Sequence, residues 1–113
     1  VEIDSVAIDR SKIAKANSVS EFLSVIIEDY RENRTMSYSE LGRLAGIKSR
    51  SHPREIVLGK KKVSLETAKR ISRGLKLPTD VREVFHILAE LEMTSADTAR
   101  SQLKRELAMA RSP

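Results

Sequence analysis

Apolar positions recur along most of this chain at spacings of three and four residues, the period of a helix with one buried face. Phe22, Leu23, Ile26, Ile27 and Tyr30 follow Ser20 in that rhythm and predict a helix over 20–33. After Asn33-Arg34-Thr35, Ser37 and Glu40 form an S-x-x-E capping box, in which the serine oxygen takes up a free amide at a helix start. Leu41, Leu44 and Ala45 supply the inward face of this second helix, and Gly46 ends it early. A short third helix is expected before Leu58. Ser51 is its cap, Pro53 fits the first turn because its missing N–H has no intrahelical acceptor there, Ile56 and Val57 face inward, and Gly59 stops it. Ser64 caps a fourth helix carrying Leu65, Ala68, Ile71 and Leu75, which Leu77-Pro78 breaks. Thr79 and Asp80 open a fifth, with Val81, Val84, Phe85, Leu88 and Leu91 inward. Finally Ala96, Ala99, Leu103, Leu107 and Ala110 form a narrow stripe that predicts a helical tail. Only "VEIDSVAI" at the start alternates with period two, so the expected class is all-α. The expected organisation is an N-terminal arm (1–19), a five-helix domain (20–93) and a C-terminal helical tail (94–113).

Composition narrows this picture. The 113 residues suffice for one domain, and 40% apolar content with 4% aromatics allows one modest core. With no cysteine, disulfides and thiolate metal sites are excluded, and a reducing compartment is permitted. Apolar runs as short as Val25-Ile26-Ile27 do not span a bilayer, and nothing resembles a signal peptide, so a cytoplasmic protein without membrane contact is expected. The opening on Val1 rather than methionine leads us to expect a trimmed chain or a piece of a longer one.

Charge changes the picture more. Residues 36–78 hold eleven Lys/Arg against three Asp/Glu, a net +8, whereas 1–35 sum to −2 and 79–113 to −1. A positive excess confined to one compact segment makes a local field that draws a polyanion, most commonly nucleic acid. The same segment holds the second and third helices, and two short helices joined at a glycine read as a helix-turn-helix whose later helix enters the major groove. Gly42, Ala45 and Gly46 are small enough for a close crossing, while Arg50, Ser51, His52, Arg54 and Glu55 can face base edges. Arginine reaches the two acceptors of guanine, serine serves either role, and glutamate can accept from cytosine. Lys60, Lys61 and Lys62 follow directly in a loop suited to backbone phosphate, the plain alternative being a solvated loop.

"SELGRLAGI" followed by "REIVLGKKKVSLETAKRISRGLKLP" resembles the helix-turn-helix of lambda-repressor-like (Xre-type) regulators, over about 37–78 and, with flanking helices, 20–92. "FLSVIIEDYRENRTMSYSELGRLAGIKS" and "LKLPTDVREVFHIL" are also similar to a bacterial family of unassigned function whose longer members carry this unit ahead of a larger domain. The resemblance implies a five-helix lambda-repressor-like domain on double-stranded DNA, with candidate contacts at Tyr38, Lys48, Ser49, Arg50, Ser51, His52, Arg54, Glu55, Lys60, Lys61 and Lys62. Tyr38 stands where the pattern often has a phosphate-bonding glutamine, and by itself it reads as a packing residue before a stacking platform. The chain departs from the pattern in three further ways: Gly42 replaces an alanine, Pro53 lies inside the third helix, and one extra residue falls between Gly46 and Gly59.

Two histidines, His52 and His86, without an acid cluster at ligand spacing make no metal site, and no cofactor cradle is present. Glu90 and Glu92 point to different helix faces, so they are no catalytic pair, and an enzyme is not expected. The leading reading is a sequence-specific DNA-binding transcriptional regulator. Its alternatives are the antitoxin of a toxin–antitoxin pair and a protein-interaction adaptor that keeps the fold without reading DNA. Partners beyond DNA are a second copy, paired through the tail stripe, or a protein such as a toxin or regulator; the stripe folding back on its own chain is the competing use.

Overall fold

The caps and apolar stripes produce helices throughout the computed structural model, which describes residues 10–28 and 36–112. These are α1 (Arg10–Lys15), α2 (Val19–Glu28), α3 (Tyr38–Ala45), α4 (His52–Val57), α5 (Leu65–Leu75), α6 (Thr79–Met93) and α7 (Asp97–Arg111), and the fold is all-α. The local signals at α3 and α5 act as their chemistry requires. Ser37 Oγ accepts from the Glu40 amide at 3.1 Å, and Ser64 Oγ accepts from the Thr67 amide at 3.2 Å. Gly46 ends α3 at φ 71°. Lys76 ends α5 at φ 55°, a left-handed turn that costs a non-glycine residue roughly 1–2 kcal/mol, so the break comes just ahead of Leu77-Pro78.

The start of the chain differs from the sequence reading. Ser18, rather than Ser20, caps α2: its Oγ accepts from the Glu21 amide at 3.0 Å, and Glu21 Oε1 accepts from the Asn17 amide at 2.8 Å. Val19 is therefore already inside the helix and buried. The end of the expected 20–33 helix, with Tyr30, lies outside the described residues, as do Ile3, Val6 and Ile8 of the expected arm. That arm also contains α1, a helix too short to show a period in the sequence. Long-range contacts hold it. Ile13 and Ala16 are buried, Arg10 forks onto Asp80 at 3.0 and 3.3 Å, and the Arg111 guanidinium donates to the Ala16 carbonyl. Hydrogen bonding from Arg10 holds the Asp80 carboxyl below its ordinary value.

The core is built around Phe22 of α2 and Phe85 of α6, whose rings stack with centroids 4.7 Å apart. Leu23, Ile26, Leu41, Ile56, Ile71 and Leu88 close around them without solvent contact. Helix α2 packs on α4 and α6, α3 on α4 and α5, and α5 on α6. Buried Ser72 of α5 lies 2.9 Å from Nε2 of half-buried His86, which completes a hydrogen bond at the edge of the core. Burial, with help from Arg82 and Lys69, keeps the His86 imidazolium pKa below its usual value.

Of the two uses open to the tail stripe, α7 shows the fold-back. It packs on α6 and buries Leu103 and Leu107 against its own chain. Ala96, which precedes the helix, and Ala99 in its first turn remain exposed. The α6–α7 corner is fixed by Arg100, whose guanidinium donates to the carbonyls of Leu91 and Thr94, the latter at 2.9 Å.

Candidate nucleic-acid interface

Helices α3 and α4 meet through residues the sequence marked as departures. An added Cβ on Gly42 of α3 would lie 2.8 Å from Cγ of Pro53, which is fully buried in the first turn of α4. The missing methyl on one helix and the proline ring on the other are therefore one feature: the ring occupies the space an alanine would fill. We predict that Gly42→Ala is destabilising in the native background, because overpacking at about 1–3 kcal/mol exceeds the roughly 1 kcal/mol of helix propensity gained. With Pro53→Ala it should become neutral or stabilising. Denaturant unfolding of the four proteins in the cycle checks this, and additive effects would separate the two sites.

The connection from Gly46 to Ser51 is longer than the usual turn of roughly three to four residues, which accommodates the extra residue seen in the sequence. It carries Lys48, Ser49, Arg50 and Ser51, all exposed. Ser51 is corrected as a cap: its backbone is helical and its side chain takes no capping bond. The cause is local: a cap hydroxyl reaches the amide three residues on from an extended backbone, as at Ser37 and Ser64, and Ser51 at φ −86°, ψ −20° lacks that conformation. The serine hydroxyl instead stands on the outer side with Arg54 and Leu58, at spacings of three and four residues, and with half-buried Glu55. Leu58 is 45% exposed. His52 is half-buried, and so is Tyr38, which packs against the core as its packing alternative requires.

The inner side of α4 is held firmly. Pro53, Ile56 and Val57 are buried, and Ser20 donates its hydroxyl proton to the Val57 carbonyl. Gly59 at φ 79° then closes a Schellman turn, its amide bonding the Ile56 carbonyl at 3.1 Å while the Lys60 amide bonds that of Glu55 at 2.8 Å. This turn sets where the lysine loop leaves the helix. Lys60, Lys61 and Lys62 are exposed, with Lys61 Nζ 3.7 Å from Glu55 Oε1. A short helix anchored by its apolar face, offset from α3 by a glycine turn and followed by a basic loop, is the arrangement that seats a recognition helix.

Residues 27–81 match the helix-turn-helix family. That match spans α3, α4 and α5 entirely, and with the all-helical packing it identifies a lambda-repressor-like helix-turn-helix domain. No curated protein and no solved structure matches the chain. The helix-turn-helix places ten of the candidate residues along the loop, outer side and following turn of α4; Tyr38 sits apart, at the start of α3. Three positioning residues escaped the sequence reading. Ser20 secures the end of α4, Glu92 Oε2 accepts from the Val19 amide at 2.7 Å, and Gly74 lets α5 approach α3. Only the small size of Gly74 was a visible signal, since the other two act across many residues of sequence.

Among the described residues, no helix is long and apolar enough to cross a membrane.

Proposed function

We propose that this helix-turn-helix domain is a sequence-specific DNA-binding transcriptional regulator, with α4 in the major groove and the lysine loop on backbone phosphates. The observation that carries this reading is a coincidence: the segment with net +8 is the same one that builds α3, α4 and the exposed loops around α4. Arg50 and Arg54 are the candidates for guanine, Ser51 for either donor or acceptor, and Lys48, Ser49, His52 and Lys60 to Lys62 for phosphates. Glu55 serves cytosine only by exchanging its contact with Lys61. Pro53 has a packing role against Gly42, so its place in α4 is no argument for the adaptor alternative. Pairing of two copies on half-sites would use a surface other than Leu103 and Leu107, which their own chain buries.

The test is duplex binding as a function of salt. With about six phosphates neutralised, log K should fall against log salt with a slope near about −5. A flat dependence, or no binding at low salt, would refute the DNA reading.

A further inference from the structure

Beside the lysine loop lies a cleft of about 560 Å³ whose cations come from distant parts of the chain. Lys61 and Lys62 form one wall, Arg100 and Lys104 of α7 another, with Leu107 in the lining. Glu92 is the single acid there, and its carboxylate already accepts the Val19 amide. Arg100 is pinned in place by the carbonyls of Leu91 and Thr94, so its charge is set at the wall without further ordering. Lys104 is exposed and one turn further along the same helix.

We propose that this cleft is a phosphate seat filled by the DNA backbone, so that α7 extends the DNA-binding surface beyond the helix-turn-helix. The proposal rests on the DNA reading above and adds a contact to it. Its occupant follows from charge and continuity: four cations line the cleft with one engaged acid, Glu55 reaches only Lys61, at 3.7 Å, and Lys61 and Lys62 belong both to the cleft and to the loop leaving α4. A backbone that meets the lysine loop therefore enters the cleft between the loop and α7. Each phosphate neutralised by a single cation contributes about 0.9 to the salt slope, whereas a charge elsewhere on the surface contributes much less.

The decisive comparison uses three variants of the full chain, each first shown to keep the native melting temperature. Lys104→Gln should make the slope of log K against log salt shallower by about 0.9 and weaken duplex binding about fivefold near 0.15 M salt. Lys104→Arg should retain the native slope. Arg105→Gln removes an equal charge from the same helix outside the cleft lining and should also leave the slope unchanged. Equal changes for Lys104→Gln and Arg105→Gln, or a native slope for both, would overturn the phosphate seat while native duplex binding kept the DNA reading intact. Calorimetric titration of the DNA-free protein with inorganic pyrophosphate separates the other source of phosphate. Pyrophosphate binding that disappears in Lys104→Gln, alongside an unchanged duplex slope, would assign the cleft to a small anion and overturn the proposal. Absence of duplex binding by the native chain would overturn both readings together.

Discussion

Gly74→Ala should cost about 3 kcal/mol or more of folding stability, the reverse of what this exchange usually does within a helix. Alanine ordinarily stabilises a helix interior by roughly 1 kcal/mol over glycine, because it restricts the unfolded chain and shields the backbone. Here α5 crosses α3 so closely that a Cβ on Gly74 would lie 2.0 Å from the Leu44 carbonyl oxygen and 2.6 Å from its carbon. Those are backbone atoms near the end of α3, so no side-chain rotation relieves the clash; α5 must move away from α3. Overpacking costs typically about 1–3 kcal/mol when side chains can adjust, and this contact belongs at or above that range. Against a total stability of about 5–15 kcal/mol, the loss is large. Thermal and urea unfolding of the two proteins measures it, and an equal or higher melting temperature for Gly74→Ala would show that the helices are not so closely apposed. The informative comparison is Gly46→Ala. At φ 71° that residue has nothing within 4 Å of an added Cβ, so only the left-handed backbone is penalised, by roughly 1–2 kcal/mol.

Replacing Lys60, Lys61 and Lys62 together by glutamine should lower duplex affinity on the order of 100-fold near 0.15 M salt and flatten the salt slope by about 2.7, if each meets one phosphate. The loss should be nearly the same for every sequence, because phosphate contacts carry no base information. All three side chains are exposed, so the fold should be unaffected. Arg50→Ala and Arg54→Ala should behave differently. Each should weaken the preferred sequence by about 1–3 kcal/mol and relax preference at one or two base pairs, as expected for a bidentate contact with guanine. Selection from random duplexes, followed by salt titration on the selected and a scrambled site, reads both effects. A uniform loss for the two arginines would make α4 a nonspecific clamp, and a sequence-dependent loss for the lysines would move them from phosphate to bases.

What the chain's own order of residues determined is local. Ser37, Ser64, Gly46 and Gly59 announce the ends of helices because a cap acts within three or four residues of itself. The apolar stripes through Phe22, Ile71 and Phe85 announce buried faces for the same reason, and the +8 segment is visible by counting. Tertiary structure decided whatever depends on two separated pieces of chain meeting. It turned Gly42 and Pro53 from two oddities into one contact, and gave Ser20 a carbonyl on α4 in place of a cap. It made a helix of Arg10–Lys15 by giving Arg10 and Ile13 partners, and spent the α7 stripe on α6. It also set Arg100 and Lys104, from a segment of net negative charge, beside Lys61 and Lys62. Periodicity shows which face of a helix is buried but not which neighbour buries it, and only that neighbour decides where the exposed charges converge.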